Sequence, residues 1–151
     1  MRYPSGYPPT GARERFFIGV RWLGPDLSFF GRLRAQQKAR SAALLDLWGG
    51  GARQRVACTI SAILARRLRW HGPYFLPDDA FAVVCGGPRF GALDIEYDAE
   101  DAIGEIEARF GIAMPACFWE GTTTQTLGEV VDALLAAGAL PGGACTPHAS
   151  G

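Results

Sequence analysis

The longest amphipathic segment of the chain reads ARQRVACTISAILARRLRW and spans residues 52–70. Its aliphatic residues recur at steps of three and four, the spacing of one face of an α-helix: Val56, Ile60, Ile63, Leu64 and Leu68. Three arginines project to the other side: Arg55, Arg66 and Arg69. Arg67 falls on the aliphatic side, where its stem can pack while its head reaches water or an acid. The pattern predicts a helix around which the core forms.

Two segments lie before this helix. Residues 1–11 contain three prolines and two glycines, a composition that cannot sustain a helix and predicts a flexible arm. Residues 28–48 lack proline and are rich in arginine, alanine, glutamine and leucine, which predicts a single helix over that range. The glycines at 49–51 end that helix, because continuing through three glycines is costly.

A long connection follows the central helix. Residues 71–77 carry two prolines and a glycine, which predict a break. Residues 81–85 form the one strand-like apolar run, and Asp78 and Asp79 could instead cap a short helical turn that reaches Val84.

Two further helices are predicted in the second half. Over Asp98–Phe110 the apolar residues again share one face, and Gly111 can supply a left-handed end. Pro115 delays any further helix until a short turn at 116–120. A capping box at Thr126–Glu129 opens the last helix, which Gly138 stops.

The predicted fold is therefore an all-α bundle with an N-terminal helical extension. A length of 151 residues and a hydrophobic content of 48% suit one compact unit. Within it we expect a basic N-terminal arm and helix at 1–51, a helical domain at 52–138 and a flexible tail at 139–151.

Charge is divided along the chain, although the net charge is zero. Residues 1–70 hold thirteen basic residues and three acids, whereas residues 71–151 hold two basic residues and twelve acids. Each fully buried aliphatic side chain contributes about 1.5–3 kcal/mol, against about 0–1 kcal/mol for an exposed ion pair. The apolar faces therefore decide the fold, and charge orients its surfaces.

The spacing of the cysteines and the N-terminal sequence indicate the cellular compartment of the protein. The four cysteines lie about thirty residues apart without metal-ligand spacing. The N-terminus has no signal-peptide apolar stretch, and no apolar run reaches membrane-spanning length. We expect a cytoplasmic protein without a metal, in which Cys58 and Cys117 are small core residues.

The region from about residue 52 to residue 137 resembles an acyl carrier protein. IEARFGIAMP at 106–115 is similar to that family's stretch of glutamates followed by phenylalanine-glycine-isoleucine and a proline. TQTLGEVV at 124–131 is similar to the entry into the family's last helix. The order of long helix, long loop, acidic helix, short turn and final helix also resembles the family. The resemblance implies an acyl-carrier-like helical bundle over a little more than half of the chain.

In that family, one serine at the start of the acidic helix receives a phosphopantetheine arm that carries the acyl group. Matching the pattern back from Phe110 places this serine at Glu96, and no serine or threonine occurs between Ser61 and Thr122. A carboxylate cannot replace the attacking hydroxyl. The resemblance therefore implies a scaffold without phosphopantetheine or any other cofactor, acting as a non-catalytic protein-interaction module.

The family's acidic helix docks on basic patches of partner proteins. The corresponding acids here are Asp94, Glu96, Asp98, Asp101 and Glu105. We expect them to bind a protein partner that has a basic patch, and we expect no small-molecule substrate. The alternative interpretation is that these acids only solvate the outer face of an amphipathic helix.

A second hypothesis assigns function to the basic half, as a surface for nucleic acid or an anionic membrane. Phe29, Phe30 and Trp48 would then stack on bases or insert into lipid. Such binding would weaken with salt. The candidate basic residues are Arg32, Arg34, Lys38, Arg40, Arg53, Arg55, Arg66, Arg67 and Arg69.

An enzyme is not indicated. The chain has no nucleophile elbow, phosphate-binding loop, dinucleotide fingerprint or HExxH motif, and it contains two histidines. Asp78 and Asp79 could form an acid/base pair or bind a divalent cation, but neighbouring carboxylates at a helix start are usually caps.

Overall fold

The computed structural model describes residues 26–86 and 95–139, and the side chains at 31–86 and 98–139. In the first range, α1 spans Asp26–Lys38, a 3-10 helix spans Ala42–Trp48, α2 spans Gly51–Leu68 and α3 spans Phe81–Cys85. In the second, α4 spans Ile95–Phe110, α5 spans Ala116–Gly121, a second 3-10 helix spans Thr122–Thr124 and α6 spans Leu127–Ala136. No residue of these two ranges belongs to a β-strand, and the all-α prediction is confirmed.

Helix α2 lies at the centre of the hydrophobic core. Its aliphatic side is buried as predicted, and it packs most extensively on α4 and then on α6. Ala102 and Ile106 on the inner side of α4 are fully buried. From α6, the fully buried residues are Leu127, Val130, Val131 and Leu134. The helices are therefore held together by apolar packing of one side of each.

Residues before α2 contribute to the same core. Leu33 of α1 and Trp48 of the first 3-10 helix are buried in it. The Trp48 indole Nε1 donates to the Phe75 carbonyl at 3.0 Å. Gln37 Nε2 donates to the Gly72 carbonyl at 2.5 Å, so α1 lies along the loop that follows α2. The predicted arm at 1–11 and the tail after residue 139 lie outside the described residues.

The single helix predicted over residues 28–48 is wrong, because two helices occupy that range. Helix α1 ends at Lys38, and the 3-10 helix begins after Ser41, whose backbone is extended (φ −137°, ψ 173°). Between them, Arg40 donates to the two Asp79 carboxylate oxygens at 2.5 and 2.9 Å. A contact with a residue 39 positions away overrides the local preference for helix.

The prediction that Asp79 caps the following helix is also wrong. The residue before α3 is Ala80, which makes no side-chain cap. Asp79 is instead 1% exposed, and it also accepts a hydrogen bond from the Leu76 N–H at 2.8 Å. The strand-like run at 81–85 forms helix α3, since a short apolar run suits a buried helix as well as a buried strand.

Helices α2, α4 and α6 end with the same backbone turn. The residue after a positive-φ residue donates to a carbonyl five positions back: Trp70 to Ala65, Ile112 to Glu107 and Ala139 to Leu134. The positive-φ residue is Gly111 (φ 65°) after α4, as predicted, and Gly138 (φ 97°) after α6. After α2 it is Arg69 (φ 61°). A side chain is disfavoured in this left-handed region, so Arg69 is the exception.

Backbone hydrogen bonds join the loop before α3 to the start of α6. The three bonds run from Leu127 N to Asp79 O (2.7 Å), from Gly128 N to Pro77 O (2.8 Å) and from Phe81 N to Gln125 O (2.9 Å). The predicted capping box of Thr126 and Glu129 is present at this start. At Gly128, a Cβ atom would lie only 3.0 Å from the Pro77 carbonyl oxygen.

Candidate functional site

Four of the five acids predicted to bind a partner belong to α4: Glu96, Asp98, Asp101 and Glu105. Asp101 is exposed, and Asp98 and Glu105 are half-buried. Asp94 lies outside the described residues, and Glu96 lies outside the described side chains. Because Ala102 and Ile106 fill the inner side of α4, the described acids occupy its outer side and its flank towards α2.

Two arginines of α2 already hold Glu105. Arg67 Nε donates to one carboxylate oxygen of Glu105 at 2.7 Å, and Arg66 donates to the other. Arg67 Nη1 also lies 3.6 Å from an Asp101 carboxylate oxygen. The prediction that the head of Arg67 reaches water or an acid is confirmed. The basic half of the chain thus neutralises the Glu105 end of the acidic helix.

These contacts change the ionisation of both partners. The hydrogen bond from Arg67 is the main cause that holds the pKa of Glu105 below its ordinary value, and Arg66 adds to it. The hydrogen bond to Glu105 raises the pKa of Arg67, with smaller contributions from Asp101 and Asp98. Both groups are charged at neutral pH, so Glu105 is engaged within the molecule.

Three residues on the open side of α4 were not among the predicted site residues. Glu100, Gly104 and Ala108 are exposed, and they follow one another at the four-residue spacing of a single helix face. A Cβ atom built on Gly104 would have nothing within 4 Å. We call Asp98, Glu100, Asp101, Gly104 and Ala108 the α4 surface. The four-residue spacing that starts at Glu100 is the sequence pattern from which the α4 surface could have been predicted.

Glu107, although acidic, is not part of the α4 surface. Its Oε1 accepts hydrogen bonds from the Met114 N–H at 2.8 Å and from the Trp119 indole Nε1 at 2.9 Å. Trp119 in turn stacks on Phe81, with ring centroids 6.2 Å apart, and meets Phe118 edge-on at 4.9 Å. Glu107 therefore positions α5 against the core.

The structure divides the basic candidates into two groups. Four of them form ion pairs with acids of the second half: Arg40 with Asp79, Arg53 with Asp132, and Arg66 and Arg67 with Glu105. Arg32, Lys38, Arg55 and Arg69 are exposed and form no ion pair with any described residue. Arg34 is exposed as well. The sequence alone could not separate these groups, because the acids come from distant positions.

The stacking role predicted for Trp48 is wrong. The ring is fully buried in the core, and the Arg53 guanidinium lies 5.4 Å from its centroid. Phe29 and Phe30 lie outside the described side chains. The described aromatic residue of the hypothesis therefore serves packing rather than binding.

The described cysteines occupy three different environments. Cys58 is buried, as predicted, but Cys117 is exposed, and the prediction that it is a core residue is wrong because α5 buries none of its residues. Burial raises the pKa of the Cys85 thiol to about 12, so Cys85 carries almost no thiolate at neutral pH. Among the described residues, no three His, Cys, Asp or Glu side chains lie together as metal ligands.

Comparison of the chain with protein-family models, with curated proteins and with solved structures found no match. Across residues 26–86 and 95–139, none of the helices has the length and apolar character needed to span a bilayer. The described residues define a helical bundle with an acidic surface on α4 and a set of exposed basic side chains near α1 and α2.

Proposed function

We propose that the chain is a non-catalytic protein-interaction module of the cytoplasm, built on an acyl-carrier-like scaffold, and that its α4 surface docks on a basic patch of a partner protein. The observation that carries this function is the open side of α4. There, the exposed acids Glu100 and Asp101 border Gly104, where an added Cβ atom would meet nothing within 4 Å. A partner backbone can approach over the glycine while its basic side chains meet the acids.

The ion pairs with α2 restrict where the partner binds. Glu105 is held by Arg66 and Arg67, and a basic partner would have to displace both. Asp98, Glu100 and Asp101 lie nearer the N-terminal end of α4. Acids at a helix N-terminal end also suit the helix dipole. The docking contacts are therefore expected between Asp98 and Gly104.

The order of the elements supports the scaffold. Helix α2, a long loop, the acidic α4, the short α5 and the final α6 follow the order that the family resemblance implies. With Glu96 in place of the attachment serine, the full chain expressed with a promiscuous phosphopantetheinyl transferase should gain no mass. A mass increase of one phosphopantetheine arm would contradict this function.

Docking is tested by capture from native lysate with the tagged full chain and three variants. Glu100→Lys reverses a charge of the α4 surface, and Gly104→Leu closes its open side. Glu120→Lys is the matched control, because Glu120 is an exposed glutamate on α5 without an ion pair among the described residues.

We expect the amount of captured partner to fall at least fivefold with Glu100→Lys and with Gly104→Leu. With Glu120→Lys the amount should equal that captured by the wild type. The purified partner should then repeat this ranking in its Kd for the four proteins. If every captured protein survives both α4 variants, or if Glu120→Lys loses the partner equally, the α4 surface is not the docking site.

A further inference from the structure

We propose that an exposed face of α2 docks on the α4 surface of a second copy of this chain. This docking rests on the proposed function, because it uses the α4 surface, and it identifies the basic patch of the partner. We define the α2 face as the residues that follow Gly51 at alternating steps of three and four: Ala52, Arg55, Thr59, Ala62 and Arg66.

The α2 face forms one continuous side of its helix. Residues three and four apart in sequence are neighbours on a helix surface, so the members of the face lie along one line. Four of them are exposed, and Thr59 is half-buried. The residues between them point into the core, among them Val56, Ile60 and Ile63. Helices α3, α4, α6 and the first 3-10 helix pack on the other sides of α2, so no described element covers the α2 face.

Helices α2 and α4 carry opposite charges. Helix α2 contains four arginines and no acid, whereas α4 contains six acids and one arginine. Within one copy they neutralise each other along the flank where Arg66 and Arg67 hold Glu105. Away from that flank, Arg55 on α2 and Glu100 on α4 are exposed and form no ion pair with any described residue. The outward sides of the two helices therefore complement each other between copies.

The charge of Arg55 is not compensated within its own copy. Arg55 lies near the N-terminal end of α2, where the helix dipole favours acids over cations, and the first turn contains no acid. Arg53, two residues earlier, is held by two hydrogen bonds to the Asp132 carboxylate of α6. Arg55 has no such bond to a described acid. An acid supplied by a second copy gives Arg55 the compensation that the fold gives Arg53.

Small side chains allow the two surfaces to approach closely. Thr59 and Ala62 separate the arginines of the α2 face, and Gly104 follows the acids of the α4 surface. A Cβ atom at Gly104 would meet nothing within 4 Å, so Ala62 of one copy can cross over Gly104 of the next. The two helices run in the same direction at this crossing, because only then do Arg55 and Glu100 lie on the same side of it, about 10 Å and 6 Å away along their helices.

Sedimentation equilibrium of the purified full chain at low salt tests this docking. The α2 face differs from the α4 surface, so each copy offers one of them to the copy before it and the other to the copy after it. We expect the weight-average mass to exceed that of the monomer and to rise with protein concentration. Added salt should return the mass towards that of the monomer, because it screens the exposed charges.

Two charge-reversal variants locate the contact. Arg55→Glu brings like charges together at the crossing, as does Glu100→Arg, so each should weaken association at least fivefold. A mixture of the two variants again pairs opposite charges at every contact between unlike copies. The mixture should therefore associate, although neither variant does so well alone. Arg55→Glu should keep or raise the Tm, because an acid suits the N-terminal end of α2; its loss of association is then not a loss of folding.

Arg32→Glu on α1 and Glu120→Arg on α5 are the matched controls. Both side chains are exposed and form no ion pair with any described residue. Each control makes the same change of charge as one of the two variants at a place outside the proposed contact. Both should associate as the wild type does.

Three results would overturn the inference. The full chain could remain monomeric up to about 1 mM at low salt, where even a weak contact is populated. The controls could weaken association as much as the two variants do, or the mixture could fail to associate. Capture from lysate separates this failure from that of the proposed function. A monomeric chain that still captures another protein through the α4 surface keeps that function with a different partner, and one whose captured proteins all survive the α4 variants keeps neither.

Discussion

Asp79 connects three parts of the chain at a single residue. Its carboxylate accepts hydrogen bonds from Arg40 and from the Leu76 N–H, and its carbonyl accepts one from the Leu127 N–H. Burial lowers the pKa of Arg40, but a guanidinium remains protonated at any pH at which the protein is folded. The pair is therefore a buried ion pair, in which each charge compensates the other.

Removing one partner of this pair should cost more than removing both. Asp79→Leu or Arg40→Met removes one charge of a buried pair and should lower the free energy of unfolding by about 3–5 kcal/mol. The double variant leaves no charge and should be more stable than Asp79→Leu alone. Urea unfolding of the four proteins measures the coupling, and a double variant whose loss equals the sum of the single losses would contradict it.

At the scale of the helix, two glycines should respond to alanine in opposite directions. Gly104→Ala in α4 should stabilise the protein by about 0.5–1 kcal/mol, because alanine has the higher helix propensity and its methyl group meets nothing within 4 Å. Gly128→Ala in α6 should destabilise it by about 1–3 kcal/mol, since the methyl group would press on the Pro77 carbonyl and side chain. Thermal melting measures both, and stabilisation by Gly128→Ala would contradict the packing at that contact.

The helices that could be predicted are those whose sequence signals lie within or beside the helix itself. Helices α2, α4 and α6 carry an apolar face and local end signals, such as Gly111 and the Thr126–Glu129 capping box, so their existence could be predicted. The break after Lys38 depends on the contact of Arg40 with Asp79, which no local window contains. The acids of α4 were visible as a pattern, but their pairing with Arg66 and Arg67 depends on how α2 packs.

Over the whole molecule, the two charged halves are linked through Glu105. The arginines of α2 lower its pKa in the folded protein, so the unfolded chain binds a proton more readily than the folded one. The contribution of Glu105 to stability is therefore complete above its unfolded pKa of about 4.3 and is lost as the pH falls through its lower folded pKa. Acid should weaken this link between the halves.

The Glu105→Gln variant measures how much the ion pairs of Glu105 contribute to the free energy of unfolding. At pH 7 the variant should be less stable than the wild type by about 1 kcal/mol or less, because the arginines are partly exposed and solvent screens the pairs. The difference should shrink towards pH 3, as the pH falls through the lowered folded pKa of Glu105 and the carboxyl of the wild type becomes protonated. Urea titrations at both pH values test this, with Glu120→Gln as the control that should show no difference at either. A difference that grows in acid would have the wrong sign.

The backbone bonds between the loop before α3 and the start of α6 also determine when the fold can be completed during synthesis. The amide of Leu127 and the carbonyl of Asp79 that it meets belong to distant parts of the chain. A ribosome making about 5–20 residues per second needs a few seconds to add the intervening segment, and the tunnel delays its emergence further. Until then, the Pro77 and Asp79 carbonyls lack the α6 amides that donate to them in the folded chain. The first half of the polypeptide must therefore wait, incompletely paired, for the last helix to leave the ribosome.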